Sequence, residues 1–248
     1  MFQNKPMRSD AEIQRDYYER TAQQYDKMHV REDDEHFVAL RYVSGFLNLH
    51  NLKSVLDVGC GTGRGLKYLM SKNPHIKLHG VEPVPSLVRQ AVEENSIPPE
   101  MITIGDGAAM PFLDQSFDAT CEFGVLHHVG EPERVIREMM RVSRSAIFLS
   151  DENRFAHGSA LSRWGKLTLR KVGLFRHMYM LKTLGRGYRF SEGDGLAYSY
   201  SVYDAFETLS AWADRVILIP TDQVQATSGW FHPLMSSFHV LLCAIKEN

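Results

Sequence analysis

The sequence of 248 residues predicts an α/β fold, a mostly parallel sheet with helices on both faces. Three observations carry that prediction. Short apolar runs alternate with helix-periodic stretches from residue 54 to residue 150. The first strand-to-helix turn is crowded with glycines, and an acid stands at or near the end of each of the first three strand runs.

The elements follow in order. Asp10 to about Asn48 reads as helical, with Ile13, Tyr17, Ala22 and Tyr25 on one face and Phe37, Leu40, Val43, Phe46 and Leu47 in a second stripe. Ser54-Val-Leu-Asp-Val-Gly-Cys60 is a buried strand entering a tight turn. Gly65 to Ser71 continues as a helix that Asn73-Pro74 stops. Strands are then expected at Lys77 to Val81, Met101 to Ile104, Phe117 to Phe123 and Ala146 to Ser150, with helices at Pro85 to Asn95 and Pro132 to Val142 between them. From Glu152 to about Ala213 no strand is expected. Two β-rich runs close the chain, Arg215 to Pro220 and Phe238 to Ile245, joined by a loop with Trp230, Phe231, His232 and Pro233.

Composition narrows the function classes. A net charge of -2 gives no global attraction to phosphate backbones or acidic membranes. The three cysteines, Cys60, Cys121 and Cys243, are far apart, with no CxxC pair, so neither a structural zinc site nor a disulfide framework is expected. Met1 to Asp10 is polar, unlike a signal peptide. No apolar run approaches the roughly 18 residues of a membrane span. A cytoplasmic protein with neither a membrane nor a nucleic-acid partner is expected.

The sharpest signal is Asp57-Val-Gly59-Cys-Gly61-Thr-Gly63. Glycines here let the backbone pass close to a ligand. A carboxylate two residues before the first glycine would repel a pyrophosphate, which disfavours a dinucleotide. It suits an ammonium-bearing ligand, and S-adenosylmethionine carries an ammonium and a sulfonium but no phosphate. Glu82 ends the second strand, where a carboxylate can accept ribose hydroxyls. Asp106 follows the third, where one can accept an adenine amine.

Val55-Leu-Asp-Val-Gly-Cys-Gly-Thr-Gly63 resembles motif I of the class I S-adenosylmethionine-dependent methyltransferases. Gly105-Asp-Gly-Ala-Ala-Met-Pro-Phe112, Gln115-Ser-Phe-Asp118, Val125-Leu-His-His-Val129 and Glu138-Met-Met-Arg-Val142 are similar to later blocks of that superfamily. Tyr18-Glu-Arg-Thr-Ala-Gln-Gln-Tyr-Asp26 looks like the helix that closes over the cofactor in its UbiE-type, small-molecule branch, the methyltransferase domain 11 type. The resemblance covers roughly Tyr17 to Ser150. It implies a seven-stranded Rossmann-like sheet and S-adenosyl-L-methionine as cofactor. It further implies that Asp57, with Gly59, Cys60 and Gly61, takes the methionine end, Glu82 and Pro83 the ribose, and Asp106, Gly107 and Ala108 the adenine. Tyr25 and Phe123 would touch the cofactor too, although many members carry a small or polar residue at the latter position.

Methyl transfer is an in-line displacement, so the protein mainly aligns a nucleophile and receives its proton. His127 and His128, past the fourth strand, are the catalytic candidates, either able to act as a base near neutral pH. Glu122 with Asp151, Glu152 and Asn153 is the arrangement metal-dependent relatives would use. The remaining motifs match the metal-free branch, so no metal is expected.

The predicted organisation is one domain: a helical cap over residues 1–50, a cofactor core over 51–153, a lid over 154–213 and terminal strands over 214–248. Between Arg154 and Arg189 there are nine cationic residues and no acid. The segment reads either as a solvated basic helix packed on the core or as a lid whose positive charge faces the substrate pocket, the latter with a small, anionic acceptor methylated on oxygen, nitrogen or carbon. After it, Ser191-Glu-Gly-Asp-Gly195 reads as a turn and Tyr198, Tyr200 and Tyr203 as pocket walls or, equally, as a half-buried strand. An RNA methyltransferase would use the same basic segment as its footprint, but the chain has neither an Asn-Pro-Pro-Tyr motif nor a Pro-Cys nucleophile. A non-catalytic cofactor-binding protein is the other alternative, disfavoured by the intact motif I.

Overall fold

The structure, a computed structural model, describes residues 10–31, 33–222 and 236–247. The expected loop containing Trp230 to Pro233 lies outside the described residues.

The apolar runs assemble as parallel strands, the central ones largely buried on both faces. Strands β1 (Ser54–Val58), β2 (Lys77–Glu82), β3 (Ile102–Ile104), β4 (Phe117–Phe123) and β5 (Ser143–Glu152) pair in parallel in the order β3-β2-β1-β4-β5. The last two runs join as antiparallel strands β8 (Arg215–Pro220) and β9 (His239–Ile245), completing the seven-stranded order β3-β2-β1-β4-β5-β9-β8.

Period-two alternation divides the core between the sheet faces. On one face Val55, Cys121, Phe148 and Cys243 pack with Leu40, Val43 and Leu47 of α3 (Glu35–Leu49) and Leu66 and Leu69 of α4 (Arg64–Lys72). On the other, Leu56, Ile147 and Leu242 pack with Val135, Ile136 and Met139 of α6 (Pro132–Val142) and Leu209 of α9 (Phe206–Trp212). All three cysteines are buried and free. The strand order reverses between β1 and β4, and in open α/β sheets ligands bind at the carboxyl ends beside such a reversal.

Several elements differ from expectation. The N-terminal helical stretch is broken into α1 (Asp10–Thr21), a single 3₁₀ turn, α2 (Tyr25–His29) and α3, whose start is capped by the Asp34 carboxylate accepting from the Phe37 amide at 2.8 Å. Helix α5 (Pro85–Glu93) ends two residues early. The segment expected to hold no strand carries a hairpin, β6 (Tyr188–Ser191) and β7 (Gly195–Tyr198), after helices α7 (Ala160–Lys171) and α8 (Phe175–Lys182). Strands of four residues have too few positions to display an alternation. No described helix is long and apolar enough to cross a membrane.

Candidate active site

The turn after β1 is shaped by its glycines. Gly59, Gly61 and Gly63 all have positive φ, at 69°, 54° and 83°. A Cβ at Gly59 would lie 2.6 Å from the Val125 side chain, so only glycine lets the two segments meet. Helix α2 is tied to this turn: the Thr62 hydroxyl donates to Asp26, and Asn95 donates to both Asp26 (2.8 Å) and the Thr62 carbonyl (3.0 Å).

Beside the turn lies a cavity of about 520 Å³. Of the residues proposed from the sequence for the cofactor, Gly59, Gly61, Glu82, Pro83, Asp106, Ala108, Phe123 and Tyr25 line it, together with the catalytic candidate His128. Glu82 is buried, its oxygens accepting from the Gly61 amide (2.9 Å) and the Val84 amide (3.0 Å). Each carboxylate oxygen can accept again. Burial raises the Glu82 pKa to about 7 despite those two donors. Asp106 is exposed, with Oδ1 accepting from the Ala108 amide at 2.8 Å.

Asp57 and Cys60 line a small adjoining space of about 20 Å³, on the order of one water molecule. Burial raises Asp57 to about 7, with Arg64 lowering it and Glu82 raising it. A methyl group at Gly65 would strike this carboxylate, so the glycine that opens α4 makes room for it. Gly107 does not line the cofactor cavity. A Cβ there would come within 3.0 Å of Val58, so its smallness serves packing beneath the site.

The cavity fits a cofactor with a sulfonium and an ammonium. Buried carboxylates stand where cations would offset their desolvation, and glycines leave backbone amides open. From above, α1 and the hairpin close it. Gln14 accepts from the Leu196 amide (2.6 Å) and lies 3.2 Å from His128 Nδ1, and the Tyr17 hydroxyl donates to the Glu192 carbonyl. These contacts carry no local sequence signal, because they join segments more than a hundred residues apart.

A second cavity, of about 590 Å³, meets the first at Tyr18, Tyr25, Phe123, Gly124 and His128. His127, His128, His36 and His239 line it, with carboxylates from Asp33, Asp34, Glu35, Glu152, Asp194 and Asp222. Its guanidiniums, Arg31 and Arg64, are paired with Asp33 and Asp34 respectively.

His127 is buried, with Nδ1 2.8 Å from Asp151 Oδ1 and Nε2 3.9 Å from Asp194 of the hairpin turn. The Leu126 and His127 amides donate to Asp151 Oδ2 at 2.8 and 3.2 Å. Burial pulls the imidazole pKa down, but the Asp151 charge and hydrogen bond, with Glu152 and Asp194 behind them, lift it to about 10. The Asp151 carboxylate thus favours the protonated form of His127 in this closed arrangement. His128 Nδ1 lies 2.6 Å from the Leu196 carbonyl. His36 is the reverse of His127: burial, helped by Arg64, His239 and His127, holds its pKa well below the usual histidine range.

The set Glu122, Asp151 and Asn153 does not assemble as a cation site. Glu122 is buried and accepts from the Val125 amide, Asp151 is committed to His127, and Asn153 bonds the Ser237 carbonyl at 2.9 Å. The basic segment also departs from expectation. Arg154, Arg170, Arg176 and Arg186 line a third cavity of about 860 Å³ rather than the histidine cavity. Arg154 and Arg170 share Asp204, while Lys166 donates to the Arg154 and His157 carbonyls. Tyr198 and Tyr200 line that same third cavity.

Residues 56–148 match a methyltransferase domain family. Over 93 residues the chain is 33% identical to a demethylmenaquinone methyltransferase of Thermotoga maritima, covering 37% of this chain and 39% of that protein. Over 130 residues it is 31% identical to an ajmaline N-methyltransferase of Rauvolfia serpentina, covering 49% and 44%. The matches thus span less than half the length of these curated relatives. The fold is similar to that of magnesium protoporphyrin IX methyltransferase from Synechocystis PCC 6803 with bound SAH, at a TM-score of 0.58 and 19% identity over 96% of this chain and all of that one. With this sheet order and turn, the chain has the fold of the class I S-adenosylmethionine-dependent methyltransferases, and its residues 56–148 are similar to their methyltransferase domain. The cofactor of that class is S-adenosylmethionine.

Proposed function

We propose that the chain transfers the methyl group of S-adenosylmethionine to a small molecule bound in the histidine-lined cavity. The observation that carries this reading is the meeting of the two cavities at Phe123 and Gly124, under Tyr18 and Tyr25. A cofactor in the first would present its methyl group through that opening. Asp57 holds the methionine end, partly through water, Glu82 the ribose and Asp106 the adenine.

A volume of about 590 Å³ suits a small molecule rather than a macromolecule. The acid-rich lining and already paired arginines argue against an anionic acceptor in this cavity, and equally against an RNA phosphate backbone. The rate comes mainly from alignment, with His127 and Asp151 shaping the cavity floor.

The test has two parts. Calorimetry on the purified chain should give micromolar binding of S-adenosylhomocysteine and none of NAD. Transfer of labelled methyl from S-adenosylmethionine to a small-molecule extract, with the product identified by mass spectrometry, should follow. Preference for NAD, or label found only on RNA, would overturn the reading.

A further inference from the structure

We propose that Glu35, His36 and His239 form a divalent transition-metal site in the wall of the histidine cavity, with an open position for the acceptor's hydroxyl oxygen. Each of these residues offers one ligand atom, and the ligand atoms all lie within 4.8 Å of one another. Glu35 and His36 come from the first turn of α3, and His239 from the first residue of β9. The site is therefore built by two elements fixed in the same core, not by a loop.

Ligands held at about 2.0–2.2 Å from one ion stand roughly 3.5 Å apart, so side-chain shifts of about 1 Å would complete the set. His239 Nε2 is already 3.3 Å from Glu35 Oε1.

The surroundings supply independent observations. His36 Nδ1 lies 3.0 Å from Ser150 Oγ, which turns Nε2 toward Gly124, where a Cβ would meet it at 2.9 Å. A metal-bound histidine ordinarily has its second nitrogen held in this way. Three buried polar atoms near the set have no hydrogen-bond partner among the described residues: His239 Nδ1, Thr221 Oγ1 and Asp222 Oδ1. Thr221 is 3% exposed, so its hydroxyl does not obtain a partner from bulk solvent. Glu35, Glu152 and Asp222 also bring negative charge to the cavity wall, where the arginines are already paired with Asp33 and Asp34. A dication with coordinated water answers both the orphaned atoms and the charge.

Two imidazoles and one carboxylate suit zinc, cobalt or iron in the divalent state. The cavity holds a second group of two histidines and a carboxylate, His127, His128 and Asp194, whose histidine Nε2 atoms stand 3.9 and 3.5 Å from Asp194, so the titration must distinguish the two groups.

The consequence for chemistry rests on the acceptor reading of this cavity. A hydroxyl on the ion gives up its proton more readily, and the proton leaves to solvent. The resulting oxygen forms the bond to the methyl carbon as the carbon–sulfur bond breaks, and that electron pair stays on sulfur, giving S-adenosylhomocysteine. No neutral histidine is then required as base.

The experiment uses the full chain, stripped with chelator and saturated with S-adenosylhomocysteine. Zinc is titrated by calorimetry and cobalt by visible absorption. One ion per chain is expected. Glu35→Gln and His239→Ala should each weaken zinc at least tenfold, while Asp194→Asn leaves it within about twofold. Retained S-adenosylhomocysteine binding shows that each variant is folded. Failure to bind either ion while S-adenosylhomocysteine still binds would overturn the metal site alone. So would zinc affinity that survives Glu35→Gln and His239→Ala but falls in Asp194→Asn. Failure to bind S-adenosylhomocysteine would instead count against the methyltransferase reading.

Discussion

Asp57 and Glu82 are carboxylates whose pKa values burial raises to about 7. Folded carboxylates with raised pKa bind more protons than the unfolded chain between about pH 4 and 7, so they make the free protein less stable as pH rises through that window. A bound ammonium and sulfonium reverse the preference, since they favour the ionised form. Binding of S-adenosylmethionine should therefore release protons near pH 7, and its affinity should rise about tenfold from pH 6 to pH 8. Calorimetry in buffers of different ionisation enthalpy measures both, and Asp57→Asn should remove part of the proton release. An affinity that is flat with pH would mean these groups do not meet the cofactor's charge. The His127–Asp151 pair works with the opposite sign. A histidine raised to about 10 contributes stability that is full below pH 6.5 and lost as pH rises toward 10. His127→Ala leaves Asp151 buried and unpaired, and should cost about 3 kcal/mol in urea unfolding at pH 7, with a smaller penalty at pH 10. Asp57, Glu82 and Asp106 were legible in the sequence as candidates because each stands near the end of a strand that the alternation locates. His36 and His239 were not, because residues more than two hundred positions apart share no spacing.

At the scale of elements, β4 and α6 fall where the sequence puts them, Phe117–Phe123 and Pro132–Val142. Both are long enough for their periods to show. The hairpin β6–β7 was hidden for the opposite reason: its strands are short, and β6 is largely exposed. Only the turn Ser191-Glu-Gly-Asp-Gly195 announced itself. Yet this element brings Asp194 within 3.5 Å of His128 Nε2 and docks on α1. Gly195 is its weak point, with φ 72° and a Cβ position 2.7 Å from both the Gln14 carboxamide and the Tyr17 ring. Gly195→Val should push the hairpin off α1, raising the KM for the cofactor several-fold with a smaller effect on global stability. Hydrogen exchange should then speed up at Asp10–Thr21 and not in β1 or β4. Equal acceleration throughout would indicate general unfolding and not an opened lid.

Over the whole molecule, α1, α2 and the hairpin meet over the cofactor cavity at the edge of the parallel core. Tyr18, Tyr25, Gln14 and Tyr198 line the cavity from these covering elements, and Gly59, Glu82 and Asp106 line it from the core. A ligand there touches both sets, so its binding energy adds to the contacts holding the cover down. The basic helices α7 and α8 lie outside this arrangement, on the third cavity, a placement that charge counted along the sequence does not reveal. Ligand that binds only the folded chain stabilises it by about 2.7 kcal/mol at a hundred times its Kd. For a chain of this size each kcal/mol moves the melting midpoint by about 2–4 °C, so saturating S-adenosylhomocysteine should raise Tm by roughly 5–10 °C. Glu82→Gln should reduce that shift to less than half at the same concentration, because the ribose hydroxyls then lose a charged acceptor for a neutral one. Differential scanning calorimetry on both proteins, with and without ligand, decides it. An undiminished shift in Glu82→Gln would mean that the ligand is held without this strand-end carboxylate, and the placement of the ribose at β2 would have to be abandoned.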